Sequence, residues 1–491
     1  MSKNQKDLNL HMPTTTPHLD ARTLRWMPWV IAIAFFMQSL DGTILNTALP
    51  SMAHSLSEDP LRMQSVIIAY MLTIALLIPA SGWISDRFGI KRIFFSAILL
   101  FSFGSLLCAM ANSLGMLVGA RVIQGLGGAL MMPVGRLIVL RAYPRAELVR
   151  TLGFITTPAL LGPLLGPTVG GWLVEILSWH WIFLINIPVG LLGCFAVRKF
   201  IPDLPGAGRT RFDLVGFGLF GASMVLITIA LEGLGELHLP HLRVVMLLFG
   251  GMACLAAYWL RASHTDFPLF SASLFNTRSF AVGIMGNLFA RLGSGALPFL
   301  VPLMLQVALG YSPANAGMSM IPLAIAAMAA KPLATLLIPR LGYRVILTGN
   351  TLLLGVLLAS MALIDADTPY WMLAIHLALL GGVNSLQFSA MNAVTLIDLD
   401  DASAASGNSL LSVVAQLSLS LGVACAAALL GGFTDDVSTG EVSSVLGAFQ
   451  LTFLCVGVLA MLASAIFLQL SPKIATEIPS RKPHAEPEIE S

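Results

Sequence analysis

The chain has 491 residues, of which 56% are hydrophobic and only 11% charged, with a net charge of +2. Soluble domains carry about 25% charged residues, so a mostly water-soluble fold is excluded. A net charge of +2 says nothing of nucleic acid, which is not an expected partner; the basic residues matter by position instead.

The apolar residues form continuous runs of about 20, the length that crosses a hydrocarbon core. A transmembrane β-barrel would instead show two-residue alternation. The expected class is therefore an all-α polytopic membrane protein. Residues 1–25 are polar, have no apolar segment of signal-peptide type, and read as a cytoplasmic tail. Fourteen spans follow, at 27–49, 64–84, 93–111, 116–139, 150–173, 181–198, 214–234, 242–261, 280–306, 315–335, 345–364, 370–394, 406–429 and 446–469. Residues 471–491 read as a second cytoplasmic tail.

Orientation follows from lysine and arginine in the short loops. Alternate loops hold Arg87, Lys91 and Arg92, then Arg141, Arg145 and Arg150, then Arg198, Lys199, Arg209 and Arg211, then Arg261 and Arg278, then Arg340 and Arg344. The other side shows only Arg62 and Arg243 near span ends, and the acidic segment 431–444. This places both termini in the cytoplasm. The loop 398–406 is an exception, cytoplasmic without a basic residue. Trp26, Trp29, Trp179, Trp181 and Trp371 sit at span ends, as an interfacial aromatic belt requires. The five cysteines have no metal-ligand spacing and read as packing residues.

Arg87-Phe88-Gly89 after the second span is echoed by Arg340-Leu341-Gly342 after the tenth. If the two correspond, spans 1–6 match spans 9–14. The expected domains are a six-helix bundle over 26–200, two inserted helices over 201–265, and a second six-helix bundle over 266–470. Paired halves around a midplane site are a transporter architecture.

Asp41 interrupts the first span about 14 residues in, some 21 Å along the helix at 1.5 Å per residue. A carboxylate there costs about 2.5–3.5 kcal/mol on insertion scales, so it calls for a function or a partner. Arg121 and Gln124, one turn apart in the fourth span, fall in the same depth band. Gly162, Gly166 and Gly170 recur at four-residue spacing, a face suited to close helix contact. Pro163 and Pro167 remove backbone donors and bend that helix. Arg291 lies about 17 Å into the ninth span. The methionines, among them Met131, Met132, Met318 and Met320, suit either a promiscuous apolar pocket or ordinary packing.

Four stretches, "LDGTILNTALP" (40–50), "GWISDRFGIKR" (82–92), "RVIQGLGGALMMPVGR" (121–136) and "GPLLGPTVGG" (162–171), occur in order. With "WHWIFLINIPVG" (179–190) and "SGNSLLSVVAQLSLSLG" (406–422), they resemble the major facilitator superfamily and, within it, the drug:H+ antiporters with fourteen spans. His180 departs from the commoner Trp-Arg-Trp form. The resemblance implies two six-helix bundles plus two inserted helices, with spans 1 and 4 lining a cavity. It implies proton coupling by Asp41 and Arg121, and a substrate cavity with Gln38, Asn46, Gln124 and Arg291. It implies a cytoplasmic gate at Gly82, Asp86, Arg87, Gly89 and Lys91, for which Arg136 is the expected partner of Asp86. Pro339 stands where a second-half copy of Asp86 would fall. It implies an antiporter helix in which Gly162, Pro163, Gly166, Pro167, Gly170 and Gly171 pack against the opposite half.

The expected activity is proton-coupled export of small amphipathic compounds across a bacterial inner membrane. The proton gradient is the energy source, with no cofactor, metal or ATP, and an envelope-spanning efflux partner is left open. The alternatives are a dedicated metabolite exporter of the same fold and a non-transporting sensor or assembly partner. An enzyme is not expected, because no nucleophile set or nucleotide-binding loop is present.

Overall fold

The protein is described from a computed structural model, covering residues 20–204, 212–235, 241–265, 267–435 and 442–471. Nearly all of the first tail, the second tail after Ser471 and the middle of the acidic segment 431–444 lie outside the described residues. The first six spans are Arg22–Thr47, Pro60–Phe88, Ile90–Ala109, Leu114–Ala142, Arg150–Ile176 and Trp181–Phe200. Spans 7 and 8 are Leu214–Gly233 and Leu242–Ala262, and span 9 is Arg278–Ala308. Span 10 begins as the shorter helix Pro313–Ala329. It runs on into the helix Lys331–Ser360, which is broken at Gly342 (φ 78°, ψ 157°). That break ends span 10 and starts span 11. Spans 12, 13 and 14 are Tyr370–Leu396, Ser403–Thr434 and Val445–Phe467.

Gly89 (φ 90°, ψ 133°) makes the same turn between spans 2 and 3. Glycine is needed at both places because a positive φ combined with an extended ψ is a backbone region essentially confined to residues without a Cβ. The repeat thus extends from sequence to backbone geometry, and it extends further to packing. Span 1 lies on spans 5 and 6, as span 9 lies on spans 13 and 14. Span 3 lies on spans 4 and 6, as span 11 lies on spans 12 and 14. Span 2 packs on span 4, and span 10 on span 12. The halves meet where span 5 touches span 10 and span 2 touches span 13. These two contacts exchange under the same correspondence. Spans 7 and 8 pair with each other, and span 7 lies against span 13 and touches span 2.

Burial is uneven along the bundle. At one end a single apolar core crosses both halves, joining Ala48 and Met52 to Leu300 and Met304. At the other end the cores are separate, one around Phe94 and Ile138 and one around Leu347 and Met391. A further cluster around Phe220, Tyr258 and Phe270 ties the inserted spans to span 13 and to Ala75 of span 2. The end with the common core is called here the sealed end. The opposite end carries Arg87, Lys91, Arg92 and Arg141 and is called the basic end.

Trp26, Trp29, Trp181 and Trp371 are exposed to the surroundings of the bundle. Trp179 is not part of that belt. It is buried and stacked on His180, with ring centroids 3.7 Å apart. Its place at a span end was legible, but the packing of the loop turns the indole inward. Met131 and Met320 are likewise buried in packed core.

Candidate functional site: a buried ion pair in the first half

Span 1 is helical to Ile44 and tightens into a 3-10 turn over Leu45–Thr47. This delivers Asp41 to the interior, where it is 2% exposed. Arg121, 1% exposed, comes from span 4 with Gln124 one turn further. Span 3 reaches span 4 closely because Gly104 has no side chain. A Cβ there would lie 2.5 Å from the Gln124 Cα. That approach brings Ser105 to Gln124. Span 6 is interrupted at Ile185, and its main helix opens on Asn186.

These elements converge on one carboxylate. Arg121 Nη1 donates to Asp41 Oδ2 at 2.7 Å, and also to Gln124 Oε1 at 2.6 Å. Gln124 Nε2 donates to Asp41 Oδ1 at 2.8 Å and to Ser105 Oγ at 2.7 Å. Asn186 Nδ2 donates to Asp41 Oδ1 at 2.9 Å. Arg121 Nε donates to the Val66 carbonyl at 3.2 Å, and its Cζ lies 3.9 Å from the centre of the Tyr70 ring. The charges are thus paired and held by neutral amides in the buried interior, which is the geometry a buried pair requires. Arg121 does not reach for an aqueous surface. Sequence reasoning named Asp41, Arg121 and Gln124 and missed Asn186, Ser105 and Tyr70. For Asn186 the available signal was a lone amide inside the apolar run "FLINIPVG".

Gln38 and Asn46, on either side of Asp41 in the same span, are also buried. Gln38 Oε1 is enclosed without a hydrogen-bond partner among the described residues. Arg291 lies in the other half, 7% exposed. Its Nε donates to Asn287 Oδ1 at 2.9 Å and its Nη2 to Asn392 Oδ1 at 3.1 Å. The structure does not bring it to Asp41.

At the basic end Asp86 is paired with Arg141, not with Arg136, at 2.7 Å from Nη2 to Oδ1. The expected partner was wrong by about one and a half helical turns. Arg141 lies in the last turn of its helix, where span 4 comes alongside the end of span 2. Gly89 makes the turn, Arg87 lies 5.5 Å over the Trp83 ring, and a side chain at Gly82 would meet open space. Lys91 lies in the first turn of span 3.

The glycine face of span 5 also needs correction. Gly162, Gly166 and Gly170 face span 1 of their own half. A Cβ on them would lie 2.6 Å from Ser39 C, 2.2 Å from Thr43 Oγ1 and 2.3 Å from the Ile44 carbonyl oxygen. Of the expected glycines and prolines, Gly171 and the carbonyl of Pro167 are the ones seen to meet the opposite half. A Cβ at Gly171 would lie 2.2 Å from the Pro313 carbonyl oxygen, and one at Gly317 2.2 Å from that of Pro167. Pro163 is exposed on the same helix. Spacing reveals that a face is bare, but not which neighbour lies on it.

Among the described residues, the hydrogen bonds that cross between the halves all lie at the sealed end. Thr168 Oγ1 donates to the Gly317 carbonyl at 3.3 Å, and Gln306 Nε2 to the Thr47 carbonyl at 3.1 Å. The Ala314 N–H donates to Glu175 Oε2 at 3.0 Å.

The chain matches the Major Facilitator Superfamily over residues 31–423. It is 46% identical over 450 residues to a protein of Pectobacterium atrosepticum, covering 92% of this chain and 96% of that one. It is 47% identical over 444 residues to one of Yersinia enterocolitica, covering 90% and 94%. Both relatives carry the name MdtD, as candidate multidrug resistance proteins. Among solved structures, a bacterial homologue of the human lysosomal transporter Spinster, in an inward-facing and unoccupied conformation, superposes with a TM-score of 0.67. That match is at 16% identity, over 91% of this chain and 97% of that one. A POT family transporter in complex with 5-aminolevulinic acid gives 0.68 at 16% identity, over 92% and 96%. At such identities the likeness concerns the fold.

Proposed function

Since the chain belongs to the major facilitator superfamily, and is a membrane transporter rather than an enzyme, we propose that it exports small amphipathic compounds in exchange for protons by alternating access. The observation that carries this reading is the Asp41–Arg121 pair, 2.7 Å apart and almost wholly buried. Ionised, Asp41 cancels Arg121 and accepts three hydrogen bonds. Protonated, it leaves the guanidinium uncompensated in a low-dielectric interior, which is strongly unfavourable. Proton arrival is therefore linked to a rearrangement of spans 1, 4 and 6 around Arg121. A ligand or proton shifts a two-state equilibrium only through such a difference between states.

The two states differ in which end is sealed. The common core and the cross-half hydrogen bonds hold one end shut, while Asp86 and Arg141 clasp spans 2 and 4 at the other. The distribution of basic loops supports a cytoplasmic basic end, both termini inside, in a bacterial inner membrane. The halves 26–200 and 266–470 would then rock against each other around the interior site, one end opening as the other closes, with 201–265 riding alongside. Gln38, Asn46, Gln124 and Arg291 are the proposed polar contacts of the path. Export as the direction, and drugs as substrates, draw on the name borne by the relatives. The proton gradient supplies the energy in this reading, without ATP or a cofactor.

Flux into proteoliposomes under an imposed pH gradient, over a panel of amphipathic dyes and antibiotics, tests it. Uphill movement of at least one compound that collapses with a protonophore is expected. Movement indifferent to the gradient would overturn proton coupling, and no movement of any compound would overturn drug export.

A further inference from the structure

Four charged residues are buried among the described residues: Asp41, Arg121, Asp213 and Arg291. Asp41 and Arg121 cancel each other, and Asp213 is paired with Arg261 at 3.1 Å. Arg291 alone has no opposite charge among the described residues. It sits near the middle of span 9, where a charge out of water is expensive. Arginine cannot relieve this by losing its proton. Its compensation is partial. The carbonyl oxygens of Asn287 and Asn392 take one N–H each, and the face of Phe388 lies 4.0 Å from Cζ.

Two features show that this guanidinium is not a closed structural unit. Nη1 makes no hydrogen bond among the described residues, and it is not one of the fully enclosed orphan atoms. Asn392, which holds Nη2, is itself exposed. A buried cation therefore presents an accessible edge with free donors, backed by an aromatic ring. The planar fork of Nη1 and Nη2 matches a carboxylate, which arginine takes in bidentate fashion.

We propose that Arg291 is a substrate anchor, and that the transported class is amphipathic monoanions bearing a carboxylate beside an apolar or aromatic body. This rests on the transport reading above and narrows it. The carboxylate lies on the free edge of Arg291 and the apolar body packs beside Phe388. A positive charge in the substrate is repelled, because Arg291 is the uncompensated buried charge among the described residues.

The test uses the full chain in proteoliposomes and three matched probes: a dansylated amino acid with a free carboxyl group, its methyl ester, and a dansylated quaternary ammonium of similar size. The carboxylate is expected to move at least tenfold faster than the cation. Arg291→Gln is expected to lower the carboxylate-to-ester rate ratio at least tenfold, and Arg291→Lys, which keeps the charge, to restore part of it. Binding of the free carboxylate to purified protein, followed by dansyl fluorescence, is expected to weaken by the same factor in Arg291→Gln. Loss of all three fluxes in equal proportion would show a purely structural arginine and overturn the proposal. So would cation flux equal to carboxylate flux in the unmodified protein. If dyes are pumped while the carboxylate neither binds nor moves, this inference fails and the transport reading stands. If nothing is pumped, the transport reading fails, and the binding measurement still decides the role of Arg291.

Discussion

Replacing Asp41 by Asn keeps the size of the side chain and removes its charge. In the structure the carboxylate accepts from Arg121 at 2.7 Å, Gln124 at 2.8 Å and Asn186 at 2.9 Å. The Asn oxygen can serve one side of this set. Its Nδ2 then faces donors where an acceptor is needed, and Arg121 loses its counter-charge. Breaking a buried pair by removing one partner costs about 3–5 kcal/mol. Gln124 Oε1, 2.6 Å from Arg121 Nη1, and the Val66 carbonyl remain as acceptors and hold the loss toward the lower end of that range. At about 1.4 kcal/mol per factor of ten, a state that needs the ion pair loses about a hundredfold in population. On the proposed coupling, the variant also lacks the group that takes up and releases the proton. Asp41→Asn should therefore insert and bind substrate, yet lose at least a hundredfold in pH-driven accumulation. Substrate exchange without a gradient should fall much less. The assay is paired proteoliposome flux, with and without a pH gradient, on protein checked by size exclusion. Accumulation at the original rate by Asp41→Asn would refute the coupling argument. An equal loss in both assays would reduce Asp41 to a structural group.

The remaining predictions concern the ends and the seam. Gly166→Ala places a methyl 2.2 Å from Thr43 Oγ1 and should destabilise the first half by about 1–3 kcal/mol through overpacking, read as a lower melting temperature in detergent. Gly171→Ala, 2.2 Å from the Pro313 carbonyl, should instead loosen the sealed end, so that cysteines placed at Thr168 and Asn315 cross-link more slowly than in the parent. Asp86→Ala and Arg141→Ala should each slow turnover with substrate affinity little changed, and the double variant should lose less than the two single losses combined, because both disrupt the same ion pair. In a background without the five native cysteines, Asp367→Cys should react with an impermeant maleimide on intact cells and Asp400→Cys should not; the reverse pattern would invert the orientation.

The sequence alone determined what depends on the solvent. A hydrocarbon core demands about 20 apolar residues per crossing, so the fourteen spans and the all-helical class could be counted. The same cost made Asp41, Arg121 and Arg291 conspicuous, since a charge stands out against an apolar run. The turn at Gly89 and its echo at Gly342 were visible because the chain must reverse between spans and only glycine tolerates the backbone involved. What depends on relative rotation and distance between helices was decided by the tertiary structure. Asn186 meets Asp41 across 145 positions of sequence, and a neutral amide carries no insertion cost large enough to announce it. Asp86 takes Arg141 rather than Arg136 because five residues turn a helix by about 140°, and only the packing of span 4 beside span 2 fixes which arginine comes round. The bare face of Gly162, Gly166 and Gly170 was certain, but its neighbour is span 1 of the same half. Arg291 looked like Arg121 in sequence, and the fold alone gave one of them a carboxylate and, among the described residues, left the other without.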